Sequence, residues 1–270
     1  MLSKEVFQPK AGNQLKDLFQ SGRDHLLSIY LTAGYPTLDA TGALLEAVQE
    51  AGADLVEVGM PYSDPLADGP VIQQSGAQAL AAGMTLDRLF DQVAEVRPRL
   101  QIPLVWMGYF NAMLQYGPER FAERCAASGF EALILPDLPP EVYRRDFQPL
   151  FVRHGLKPVF LVTPQTPEHR IRLIDDCSEG FVYLVASSTL TGSNTGIGSL
   201  QEQYLSRVAA MGLRNPLIAG FGIHDRPSFL AACRHARGAI VGSAFLRHIG
   251  QSADPVGAAG HFVRSLRAES

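Results

Sequence analysis

Basic residues are in short supply in this sequence. Its 23 Lys and Arg against 27 Asp and Glu leave a formal charge of −4, with a sequence pI near 6.0. Wide contact with phosphates needs a basic face, so nucleic acid is excluded as the main partner. Cysteine is scarcer still. Cys125, Cys177 and Cys233 are odd in number and far apart, and they form neither a CxxC pair nor a zinc spacing. Each lies in a helical pattern and reads as a small buried thiol. No apolar run approaches the ~20 residues of a membrane span, and residues 1–10 lack the apolar centre of a signal peptide. These absences point to a reduced, cytoplasmic, soluble protein. The 25 Gly and 18 Pro are scattered, without a collagen-like repeat or a low-complexity linker. With 46% hydrophobic and 19% charged residues, the composition is that of a folded globular chain.

What is present is an alternation with a period of roughly 25 to 35 residues, as in repeated strand–helix units. Short apolar runs at 27–31, 55–58, 104–107, 132–135, 159–162, 181–185, 217–219 and 239–241 read as eight buried parallel strands. Between them, apolar residues recur at helical spacing: Leu44, Leu45 and Val48; Leu86, Leu89, Phe90 and Val93; Leu205 and Val208. Gly52, Gly129, Gly155, Gly180 and Gly238 each stand just before a strand, where a glycine can end a helix and turn the chain back. No linker or charge run divides residues 1–270, so one domain is expected. Eight βα units over about 250 residues predict a closed (β/α)8 TIM barrel. Residues 11–22 predict an extra N-terminal helix under its floor, and residues 254–267 a closing C-terminal helix.

In such barrels the chemistry sits at the C-terminal ends of the strands. The second strand, Leu55-Val56-Glu57-Val58-Gly59, puts a carboxylate among apolar residues. With alternating faces, Glu57 points with Leu55 toward the barrel interior. Such a burial is costly unless the group is paired or functional. The loop that follows, Met60 to Pro70, is stiffened by prolines and carries Asp68, eleven residues beyond Glu57. Two carboxylates in different surroundings are a common source of an acid and a base. Asp64, in the same loop, reads as a turn cap.

Ala219-Gly220-Phe221-Gly222-Ile223 and Val241-Gly242-Ser243-Ala244 follow the seventh and eighth strands. Their glycines let backbone N–H groups approach an anion, and a helix opens at Ser243, so these loops read as a phosphate site. Residues 186–198, rich in Ser, Thr and Gly, suit a lid. Lysine is notably rare: Lys4, Lys10 and Lys16 precede the first strand, and Lys157 enters the fifth from the opposite face. None is placed for a Schiff base. His224 is the one histidine near a strand's C-terminal end, too few for a metal set. The expected chemistry is acid–base catalysis by carboxylates on a phosphorylated substrate.

The stretch from Glu57 to Gln73, with Tyr62-Ser63-Asp64-Pro65-Leu66-Ala67-Asp68-Gly69-Pro70 at its centre, closely resembles the signature of the tryptophan synthase alpha-subunit family. The similarity extends over nearly the whole chain. Leu31-Thr32-Ala33-Gly34-Tyr35-Pro36 resembles the family's first loop, Met107-Gly108-Tyr109-Phe110-Asn111 its third, and Leu135-Pro136-Asp137-Leu138-Pro139 its fourth. The resemblance implies a (β/α)8 barrel that splits indole-3-glycerol phosphate into indole and glyceraldehyde 3-phosphate, a retro-aldol step of tryptophan biosynthesis. It implies Glu57, Asp68 and Tyr183 as catalytic residues. For substrate binding it implies Tyr30 and Tyr109, with Phe221, Gly192, Gly222, Gly242 and Ser243 around the phosphate. It implies no metal or cofactor in this chain. The implied partner is a pyridoxal-phosphate beta subunit in an alpha2beta2 heterotetramer, docked on the rim around residues 61–65, Asn111 and residues 186–198. One departure stands in the lid, where Thr189 and Leu190 replace the glycine and valine that many members carry. Three other readings stay open: a sugar-phosphate isomerase or epimerase, a weakly active barrel that serves to activate a partner, and a standalone lyase that releases free indole.

Overall fold

The computed structural model describes residues 13–185, 199–220 and 222–268. Nine parallel strands form its one sheet: β1 (Leu26–Thr32), β2 (Leu55–Gly59), β3 (Leu104–Met107), β4 (Ala132–Ile134), β5 (Lys157–Val159), β6 (Leu161–Val162), β7 (Val182–Val185), β8 (Leu217–Gly220) and β9 (Gly238–Val241). Their spatial order is β5-β4-β3-β2-β1-β9-β8-β7-β6. Eight of these positions are the predicted strands, extended or trimmed by a residue or two. The ninth arises because the predicted fifth strand is interrupted at Phe160. Its first half pairs with β4 and its second with β7. Pro158 has no N–H to give the ladder, and the Phe160 N–H points to Ser178 Oγ at 3.4 Å. The Phe160 carbonyl still accepts the Tyr183 N–H at 3.0 Å, which carries the sheet across the seam. The result is the predicted TIM barrel.

Parallel strands with helices outside must be apolar on both faces. Every residue of β1 and β2 is buried. The register sets Ser28 opposite Leu55, Tyr30 opposite Glu57 and Thr32 opposite Gly59. Outside, the predicted helical stripes bury as expected: Leu44, Leu45 and Val48 from Ala40–Glu50, Leu89, Phe90 and Val93 from Leu86–Val96, and Leu205 and Val208 from the helix Ser199–Ala209.

Four of the five glycines read as helix stops, Gly52, Gly129, Gly155 and Gly180, have positive φ. At Gly155 the helix Gln148–His154 ends on the left-handed conformation itself, φ 67°. Gly238 corrects the reading. It is the first residue of β9, without positive φ, and a Cβ there would lie 2.2 Å from the Leu26 carbonyl oxygen. Close strand approach, not a turn, requires glycine there.

The predicted N-terminal helix is Gln14–Gln20. Its Leu15 is fully buried, its N–H donates to Glu131 Oε2 at 3.0 Å, and its side chain fills the space beside Gly180. The closing helix is Pro255–Arg267, opened by Asp254, whose carboxylate accepts the Gly257 N–H. At its far end Arg267 donates to the carbonyls of Gly52 and His25 and pairs with the buried Asp54, which also binds Arg23. Cys125 and Cys177 are buried and Cys233 half-buried, all within helices as expected. Among the described residues no helix is long and apolar enough to cross a membrane.

Candidate active site

Glu57 is fully buried at the C-terminal part of β2. The Ser28 hydroxyl donates to its Oε1 at 3.0 Å, and its Oε2 has no hydrogen-bond partner among the described residues. Burial pushes the carboxyl up to about 8, against the pull of the Ser28 hydrogen bond. A carboxylic acid in that range can both give and take a proton near neutral pH.

Asp68 comes from the loop after β2, half-buried. The loop is closed by main-chain bonds, Leu66 N–H to the Asp64 carbonyl at 2.9 Å and Asp68 N–H to the Pro65 carbonyl at 3.1 Å. The carbonyl of Asp64 closes this turn, so the expected capping by its exposed carboxylate is not needed. Gln73, one turn into the helix Pro70–Ala81, donates to the Asp68 carbonyl at 2.9 Å and anchors the loop's end. The Asp68 carboxylate receives the Tyr109 hydroxyl on Oδ2 at 3.2 Å. Burial raises its pKa, and the Tyr109 hydrogen bond works against that rise.

Tyr109 follows β3. Its hydroxyl accepts the Ala67 N–H at 2.9 Å, and its ring stacks on Tyr62 with centroids 4.7 Å apart. Burial, with the nearby Asp68, pushes this phenol up to about 12. Asn111 donates to the Tyr62 hydroxyl at 2.8 Å, and the Phe110 N–H donates to Asp137 at 2.8 Å. The third and fourth loops are thereby tied to the second.

Tyr30 and Tyr183 rise from β1 and β7 into the same space. Both phenols are held above their ordinary pKa by burial, with the charges of Glu57 and Asp68 adding to the effect. That coupling puts all four side chains in one cluster. Glycines make room for the rings: a Cβ at Gly59 would lie 2.1 Å from the Tyr30 hydroxyl, and one at Gly220 2.3 Å from the Tyr183 ring. No described cation forms an ion pair with Glu57 or Asp68, and no group of described residues has the make-up of a metal site.

The glycine loops lie next to this cluster. Gly242 precedes the helix Ser243–Gly250 and backs onto Tyr30, with a Cβ there 3.4 Å from the Tyr30 ring. A Cβ on Gly222 would meet nothing within 4 Å. Beside it Asp225 caps the helix Arg226–Cys233 through a capping box with Ser228, and the His224 ring contacts the Gly222 carbonyl at 2.7 Å. His224 is thus a loop residue. Phe221, Gly192 and the proposed lid fall outside the described residues.

The structure therefore gathers Glu57, Asp68, Tyr183, Tyr30 and Tyr109 around one space, with Gly242 packed against Tyr30 and Gly220 against Tyr183. Two features escape the sequence reading. Ser28 sits inside the run 27–31, read there as simply apolar; the one signal was a hydroxyl in a buried strand. The Tyr109–Asp68 bond joins residues 41 positions apart, which no local pattern reveals.

The family model for the tryptophan synthase alpha chain matches residues 15–263. The tryptophan synthase alpha chain of Flavobacterium johnsoniae is 50% identical over 227 residues, covering 84% of this chain and 90% of the relative. That of Christiangramia forsetii is 47% identical over 246 residues, covering 91% and 95%. Among solved structures, a ligand-free tryptophan synthase from M. tuberculosis superposes with a TM-score of 0.83 at 30% identity, covering 94% of this chain and 98% of that one. A tryptophan synthase complex from Pyrococcus furiosus superposes with a TM-score of 0.82 at 34% identity, covering 91% and 98%.

Proposed function

The chain belongs to the tryptophan synthase alpha chain family, lyases of tryptophan biosynthesis, and we propose that Glu57 and Asp68 carry its cleavage of indole-3-glycerol phosphate. The isomerase and epimerase readings fall away with that membership. The observation that carries the assignment is a fully buried Glu57 carboxyl raised to about 8, clustered with Asp68 around Tyr30 and Tyr183.

The cleaved bond joins indole C3 to the glycerol chain. Its electron pair stays with the ring, so C3 must gain a proton, while the adjacent glycerol hydroxyl must lose one to become the aldehyde. Glu57 gives the first proton and takes the second, ending as it began. Asp68 accepts a hydrogen bond from the indole N–H and stabilises positive charge that develops on the ring. Tyr183 and Tyr30 bound the indole and keep water from the carboxyl. Backbone N–H groups at Gly222, Gly242 and Ser243, with Phe221 and Gly192, receive the phosphate at a helix N-terminus. This chain's own residues supply every proton transfer, so the reading calls for no cofactor in it.

The partner we propose is a beta subunit in an alpha2beta2 assembly, with pyridoxal phosphate held by that subunit. The rim of residues 61–65 and Asn111 supplies the docking surface, poor in Lys and rich in Pro and Tyr. A cytoplasmic location fits the reduced cysteines and the biosynthetic role. The test is indole release by the purified chain. Glu57→Gln, folded and still binding substrate, is expected to lose about 10²-fold or more in turnover; near-normal turnover removes Glu57 from the mechanism.

A further inference from the structure

A carboxyl that alternates between acid and base needs one oxygen held and one free. Glu57 lies among apolar residues, and no described cation pairs with it. The titratable groups facing it are the Tyr30 phenol from β1 and the Tyr183 phenol from β7, with Asp68 coupled to both. All are neutral or anionic near neutral pH, so none favours the ionised carboxylate by charge. Among the described residues the stabilising contact that remains is Ser28, whose hydroxyl donates to Oε1 at 3.0 Å from a side chain that is itself fully buried.

The register gives that contact a direction. Tyr30 is the residue opposite Glu57, and Ser28 stands opposite Leu55, two residues nearer the barrel floor. The donor therefore draws Oε1 floorward, and Oε2 is left without a hydrogen-bond partner among the described residues. We propose that Ser28 is the positioning residue of this site: its hydroxyl fixes the Glu57 carboxyl from below, so that Oε2 is the one oxygen through which protons reach and leave the substrate. The proposal rests on the assignment of Glu57 as the acid–base group. Ser28 touches no reacting atom; it acts through Glu57, by orientation and by favouring the ionised form that the burial opposes.

Three substitutions separate this role from packing. Thr and Val share a shape and differ by the hydroxyl, and Ala removes the oxygen alone. Ser28→Ala and Ser28→Val are expected to lower kcat about tenfold or more with KM changed less than about twofold. Ser28→Thr should retain most of the rate. In the Ala and Val variants the limb of the pH–rate profile set by Glu57 should move to higher pH by roughly one unit, because a hydrogen bond to the ionised form is gone. Equal rates and equal profiles for the Thr and Val variants overturn the proposal. A second measurement needs no turnover: infrared difference titration of the buried carboxyl, identified by its loss in Glu57→Gln. If that carboxyl titrates alike in the unsubstituted protein and in Ser28→Ala, the proposal fails even in an active lyase. If it shifts while neither protein releases indole, the functional reading fails and the Ser28–Glu57 coupling stands.

Discussion

The Tyr109 hydroxyl donates to Asp68 Oδ2 at 3.2 Å while it accepts the Ala67 N–H at 2.9 Å, so one side chain from the third loop fixes both the backbone and the carboxylate of the second. In the proposed reaction Asp68 serves the indole only if it is ionised and aimed. Burial works against ionisation, and Tyr109 works for it.

Tyr109→Phe keeps the ring and its stacking on Tyr62 but removes that donor. Asp68 should then titrate at higher pH, and the acid limb of the kcat/KM profile should move up with it. A loss of about tenfold in kcat/KM at neutral pH is expected, shrinking as pH is raised. Steady-state kinetics across pH checks this; a profile identical to that of the unsubstituted protein contradicts it.

Glu57 also leaves a mark on stability. Its pKa in the folded chain, about 8, lies above the ordinary 4.5. The folded state then holds the proton more tightly than the unfolded state. The contribution is fully present below about 4.5 and is lost as pH rises through 8. Relative to Glu57→Gln, the unsubstituted protein should therefore weaken progressively between those values, by up to about 4 kcal/mol. Denaturant titrations of both proteins at several pH values measure the difference; a constant gap means the carboxyl is not held neutral.

Gly242→Asp places a carboxylate at the start of the helix Ser243–Gly250. The backbone there has φ −118°, and the added Cβ meets the Tyr30 ring at 3.4 Å, an ordinary contact. The fold should survive, and the negative charge should repel the phosphate. KM for the phosphorylated substrate should rise about tenfold or more with circular dichroism unchanged. An unchanged KM places the phosphate elsewhere.

The partner is tested by addition. Alone, the chain should be a slow, monomeric lyase. With its cognate beta subunit, indole production should rise well beyond about tenfold, as docking completes the carboxylate geometry. Asp64→Ala, an exposed change on that rim, should reduce the activation more than the basal rate. High activity alone, indifferent to any beta subunit, identifies a standalone lyase.

The barrel was legible in the sequence because each strand–helix unit announces itself locally. Apolar runs bounded by glycine and helical stripes such as Leu44, Leu45 and Val48 report burial on a single element, and burial is what drives each to form. Glu57 was legible for the same reason: a charge inside an apolar strand conflicts with its surroundings, and such conflicts mark function. The resemblance of the loop from Met60 to Pro70 then supplied the substrate. The break at Phe160 was not legible, since it depends on Ser178 reaching back to a strand amide. Nor was the reason for Gly238, whose neighbour Leu26 lies more than two hundred positions away in the chain.

The sequence by itself determined the repeated βα design, the two carboxylates and the glycine loops, because those are written in patterns shorter than one unit. Only the tertiary structure decided which groups answer them: Ser28 beneath Glu57, Tyr109 on Asp68, and Tyr30 and Tyr183 buried beside both carboxyls. Those pairings cross strands and loops, and the acidity of a buried carboxyl is set by what surrounds it in space, so closing the barrel is what gives Glu57 a pKa near 8 and one free oxygen.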